Sequence, residues 1–118
     1  MKYKVFYAKT LPYFDVDDDY AFVPGETHSL IREVEAHHLE QVYRMQQGEV
    51  WSPSHEEQEH LVGRGISHTS MSIGDVLVDR WGRARVCAGL GWKTVYPPTP
   101  IGWVHKTLDA VKAFVQGL

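Results

Sequence analysis

The segment His55-Glu56-Glu57-Gln58-Glu59-His60 brings together the residue types of a zinc hydrolase, two imidazoles with carboxylates between them. Zinc chemistry on a helix needs the two histidines four residues apart. Here they are five apart, which turns the rings about 140° away from each other. His28, His37 and His38 join such a site only through the fold. A metal-dependent hydrolase built from His55, His60 and the acidic loop therefore stands as a second alternative, and no metal site or cofactor is assigned. The run Asp15, Asp17 and Asp19 matches positions 1, 3 and 5 of a calcium loop, and Glu26 falls at position 12. Tyr20 occupies the place where the sharp turn needs glycine, and Pro24 interrupts the later half. A solvated acidic loop is the better reading.

Two further constellations carry more weight. In Asp79-Arg80-Trp81-Gly82-Arg83-Ala84-Arg85 a tryptophan at a turn is flanked by three arginines. The indole can stack on a ring while the guanidinium groups of Arg80, Arg83 and Arg85 engage carboxylates or phosphates. In Ser70-Met71-Ser72-Ile73-Gly74-Asp75-Val76 the Gly-Asp pair fits a turn whose glycine takes a backbone conformation closed to other residues, with the Asp75 carboxylate and the Ser70 and Ser72 hydroxyls satisfying nearby amides. Ser70, Ser72 and Asp75 are thus either a hydrogen-bonded start to a strand or a binding surface.

These residues have to be positioned by a chain of 118 residues, a length suited to one domain that folds without staples. Hydrophobic content of 43% and charged content of 23% are ordinary globular values, and no apolar run has the length of a membrane span. The one cysteine, Cys87, allows no internal disulfide and reads as a small buried side chain. Together with the absence of asparagine this favours a reducing, cytoplasmic compartment. Net charge is −3, unevenly spread, with the acidic residues concentrated in the first half and the arginines of the Trp81 segment in the second. A dipolar surface of this kind orients an encounter with a partner.

Alternation over Lys2 to Ala8 predicts a first strand paired on its flanks. Residues 13 to 24 read as an ordered loop closed by Pro24-Gly25. A second strand is expected from Thr27 to Glu35, with Leu30, Arg32 and Val34 on one face and Ile31, Glu33 and Glu35 on the other. A helix from about His37 to Gln47 follows, placing Leu39, Val42 and Tyr43 on one stripe, with Gly48 as its stop. A short helix over Ser54 to Val62 is expected inside a long connection, capped by Ser54 with Glu57 completing a capping box. Val76 to Val78, Ala84 to Ala88 and Trp92 to Val95 form a three-stranded meander. Residues 96–102 read as a proline-rich linker and 105–117 as an amphipathic C-terminal helix.

Leu39, Val42 and Tyr43, then Ser70 through Val76, then Gly91-Trp92, resemble the pattern of the YodL-like family and related small domains of phages and conjugative elements. The likeness spans residues 27 to 95. It implies an accessory protein of a mobile element, acting in the cytoplasm of a bacterial host, with a counter-defence or interaction role, and it implies no catalytic residue. The expectation from all of these features is a single α+β domain over residues 1–118, with a mainly antiparallel sheet, a central helix and a C-terminal helix. Its expected function is a non-enzymatic protein-interaction module, binding a host protein or another copy of itself. Nucleic-acid binding through Arg80, Trp81, Arg83 and Arg85 is the alternative.

Overall fold

Strand β1 (Lys2–Ala8) is buried on one face along its length and on both faces from Val5 onward, with Lys2 and Lys4 exposed. In the computed structural model, which describes residues 1–96, β1 pairs antiparallel with β2 (His28–Glu35) on one side and with β3 (Val76–Asp79) on the other. β3, β4 (Ala84–Cys87) and β5 (Trp92–Val95) continue as successive hairpins, giving a five-stranded antiparallel sheet in the order β2-β1-β3-β4-β5. Three short helices, α1 (Leu39–Met45), α2 (Gly48–Trp51) and α3 (Gln58–Gly63), lie in the connection between β2 and β3. The fold is a small α+β domain with the expected meander. The expected C-terminal helix, and all of the proline-rich linker except Tyr96, lie outside the described residues.

Alternation along β1 divides the core in two. Tyr3, Val5 and Tyr7 point to one face, where they pack with Leu77, Ile31 and Val34 under Val42 of α1, Leu61 of α3, Ile66 and Met71. Phe6 points to the other face, among Val76, Val86, Ala84 and Val95, and the β1–β2 connection closes over it with Val16 and Phe22. The Phe6 and Phe22 rings meet edge to face at 5.2 Å.

Several local expectations are corrected. On β2, Ile31 and Val34 share the core, and Leu30 lies outside it, 42% exposed. The cause is a β-bulge: Val5 pairs with Arg32 and Phe6 with Leu30, so Ile31 is an extra residue that resets the alternation. The central helix is shorter than expected, with His38 as its N-cap accepting from the Gln41 amide through Nδ1. Gly48 does not stop that helix but starts α2. Its amide donates to Ser70 Oγ, and a Cβ there would stand 3.1 Å from that oxygen, so glycine serves a close approach and not a left-handed cap. The capping box at Ser54 does not form. α3 starts at Gln58, and buried Ser52 Oγ accepts the Glu57 amide instead.

Candidate functional site

The residues singled out in the sequence fall at opposite ends of β3. At its start, the loop from His68 to Gly74 is wound around the Asp75 carboxylate. Ser72 N donates to Oδ2 at 2.8 Å, Ala8 N at the end of β1 donates to Oδ1 at 2.8 Å, and His68 Nε2 lies 2.8 and 3.0 Å from the two oxygens. Asp75 has no exposed surface. Burial pushes its carboxyl above the usual carboxylate range, against the opposing pull of His68 and the two amides. Ser70 Oγ is occupied by the Gly48 amide, and Ser72 Oγ donates to Ser70 O at 2.9 Å.

This polar centre extends in two directions. His68 stacks on Tyr7 at 4.7 Å, and the Tyr7 hydroxyl donates to Thr69 O at 2.7 Å while Gln46 Nε2 reaches it at 3.2 Å. Burial raises the Tyr7 hydroxyl well above its usual range. On the other side, Gly74 O receives both the Tyr20 hydroxyl at 2.9 Å and His28 Nε2 at 2.8 Å. Thr27 Oγ1 lies 2.7 Å from His28 Nδ1, a set of partners that suits the neutral ring protonated on Nε2. Burial lowers the His28 pKa and favours the same form. Burial also lifts Tyr20 to about 12. Gly74 itself has φ +100°, and a Cβ there would come within 2.5 Å of Pro12 and 2.9 Å of the Tyr20 hydroxyl. Only glycine fits that turn.

An aspartate–histidine pair beside two serines is a catalytic vocabulary, but the geometry closes it. Among the described residues His68 Nδ1 is buried and meets no hydrogen-bond partner, Ser70 Oγ accepts the Gly48 amide of α2, and Ser72 Oγ is turned back onto Ser70 O. The arrangement binds β1, β3 and the 68–74 loop into one unit. His68, Tyr7, Tyr20 and His28 belong to this centre without having been legible as its members. Their sequence separations from Asp75 run from seven residues to most of the chain.

At the far end of β3, Asp79 organises the hairpin tip. Its Oδ1 accepts from Trp81 N at 2.9 Å and Arg83 N at 3.0 Å, and its Oδ2 from Arg83 Nε at 2.7 Å. Burial alone would raise the Asp79 carboxyl, yet these donors from Arg83 and Trp81 together hold it below the usual range. The guanidinium carbons of Arg80 and Arg83 lie 4.3 and 4.9 Å from the centre of the Trp81 ring, and the indole stays 54% exposed. The structure thus brings Arg80, Trp81 and Arg83 together. Arg85 is apart from them, half-buried within β4 opposite Leu77 and Thr94.

The remaining candidates disperse. Among the described residues no three His, Cys, Asp or Glu side chains are placed to hold a metal ion, so His55, His60 and the acidic loop do not converge. Asp15 Oδ1 accepts from the Val16 and Gly89 amides, tying the acidic loop to the β4–β5 turn and lowering its pKa. Asp17 Oδ1 accepts the Asp19 amide. Cys87 is buried, with its thiol pushed up by that burial to about 11. One feature missed in the sequence is an exposed aromatic pair, Tyr13 and Phe14, 91% and 83% exposed with their rings 4.5 Å apart. Two adjacent aromatics between Pro12 and Asp15, in a loop, were the available signal.

The described residues define a small α+β domain on an antiparallel sheet, with a sealed polar centre at one end and an exposed arginine–tryptophan tip at the other. No helix of the described residues is long and apolar enough to cross a membrane. No family model, no curated protein and no solved structure matches the chain.

Proposed function

We propose that this chain is a non-enzymatic protein-interaction module whose contact surface is centred on Trp81. The observation that carries this reading is the tip itself: a half-exposed indole with two guanidinium groups over it, on a turn that one aspartate holds through three hydrogen bonds. Tryptophan and arginine are the side chains that most often dominate protein interfaces, and a turn fixed beforehand loses little entropy on docking. The closure of the Asp75 centre supports a role without catalysis, and the overall charge of −3 favours protein over nucleic acid as the partner. The likeness to YodL-like domains adds that the partner is a bacterial host protein met by a mobile-element accessory, or another copy of the chain.

Affinity capture from bacterial lysate, read by mass spectrometry and by nucleic-acid staining, tests this. The native chain is expected to retain a protein in stoichiometric amount that a Trp81→Ala/Arg83→Ala variant loses. Recovery of nucleic acid with the same dependence on Trp81 and Arg83 would replace the reading with the nucleic-acid alternative. Identical recovery by both forms would remove the tip from function.

A further inference from the structure

We infer that the hairpin tip of one copy docks into a groove at the opposite end of a second copy, giving a head-to-tail contact. This rests on the reading of the tip as a protein-contact surface and names its partner. The tip carries one cation more than its carboxylate balances: Arg83 is paired through Nε with Asp79, and among the described residues no carboxylate pairs with Arg80. The counterpart stands at the other end of the sheet. A cavity of about 510 Å³ there is lined by Asp17, Asp19 and Glu26, with Tyr20 and His28 at its side and Lys9 as the one cation. Lys9 Nζ is already held by Gly25 O at 3.0 Å, and all three carboxylates are exposed. The volume is that of an ordinary ligand pocket. The same β1–β2 connection presents Tyr13 and Phe14, against which an indole can pack.

The sheet forbids the contact within one molecule. The tip follows Asp79, which pairs with Tyr3 near the start of β1, whereas the groove adjoins Ala8 and His28 at its end. The strand from Tyr3 to Ala8, about 17 Å long, holds the two apart. Complementary surfaces at opposite ends of a rigid body meet only between copies, and such a contact uses different patches on the two partners, so it propagates or closes into a ring.

Sedimentation velocity on the full chain tests the inference, at about 20 mM and about 500 mM salt, because exposed charge pairs are screened at the higher value. The native chain is expected to show a weight-average sedimentation coefficient that rises with concentration at low salt, with association at least about tenfold weaker at high salt. Arg80→Gln/Arg83→Gln and Asp17→Asn/Asp19→Asn should each remain monomeric alone. Mixed in equal amounts, they should form a dimer and nothing larger, since only one intact tip and one intact groove can meet. Native chain that stays monomeric at low salt, or variants that associate as the native chain does, would overturn the contact. A monomeric native chain that still captures a foreign protein through Trp81 would overturn this inference alone and leave the interaction module standing.

Discussion

Two aspartates bracket β3, and they are put to opposite uses. Asp75 accepts two backbone amides and an imidazole, Asp79 two backbone amides and a guanidinium. The donors are nearly matched in number and type. What differs is the solvent. Asp75 is completely enclosed, and its partners come from β1 and from its own loop, so its bonds connect distant parts of the chain. Asp79 sits at the rim, and its partners are its neighbours at two and four residues, so its bonds shape one turn. The titration behaviour follows. Burial wins at Asp75 and raises its pKa, and hydrogen bonding wins at Asp79 and lowers it. The same side chain thus serves as an internal tie where water is excluded and as a scaffold for exposed groups where it is not.

The largest effect is expected from breaking the internal tie. Asp75→Ala leaves the Ala8 and Ser72 amides and His68 Nε2 without their acceptor, and stranded buried donors of this kind cost about 3–5 kcal/mol. Urea unfolding of the variant should show that loss, and Asp75→Asn, which keeps one acceptor oxygen, should lose less. A cost below about 1 kcal/mol would mean that the centre does not hold the fold.

Acid titration separates the two aspartates by sign. A carboxyl raised in the folded state binds its proton there more readily than in the unfolded chain, so Asp75 contributes most below its unfolded pKa of about 4 and loses that contribution as pH rises through the folded value. Asp79, lowered in the folded state, contributes above about 4 and loses its contribution as pH falls through the folded value. The stability advantage of the native chain over Asp75→Asn should therefore grow on acidification, and its advantage over Asp79→Asn should shrink. Unfolding curves from about pH 7 down to about pH 2.5 measure both, Asp75 in the part above about 4 and Asp79 in the part below it. Parallel trends would show that burial does not govern Asp75.

What was legible in the sequence divides along the same line. The Asp79 hairpin, the β3–β4–β5 meander and the glycine at position 74 are local matters, set by turn residues and alternation within a few positions, and they could be read directly. The Asp75 centre could be read only in part. The Gly-Asp pair identifies Asp75 as a turn carboxylate, but its bond to Ala8 spans the chain from β3 back to β1, and nothing in the spacing announces it. The bulge at Ile31 was hidden for a similar reason: an extra residue is visible only once the partner strand supplies the register. Helix ends depart from the expected pattern for two reasons: Gly48 serves a distant contact with Ser70, and the Glu57 amide takes Ser52, buried and only five residues back, in place of Ser54. The tip's residues were identified, while the grouping of Arg80 and Arg83 over Trp81, with Arg85 left out, depends on the turn geometry.

The smallest expected effect on stability is the most telling for function. Trp81 is half in water, so Trp81→Ala should change unfolding free energy by no more than about 0.5 kcal/mol. Asp79→Ala should cost about 1 kcal/mol, since it removes a carboxylate bonded to two turn amides and one guanidinium, all close to water. Both should weaken partner capture, for different reasons: the first deletes the contact, and the second leaves it in place but unfixed. Measured side by side, the pair shows whether the turn's rigidity matters to recognition. Full capture by Asp79→Ala alongside loss in Trp81→Ala would assign the binding to the indole alone. A loss of about 2 kcal/mol or more in Trp81→Ala would place the indole in the core, as a cost of that size requires buried packing. At the tip, stability and recognition can be separated by single substitutions, whereas a change to the Asp75 carboxylate also reaches the Ala8 amide at the end of β1.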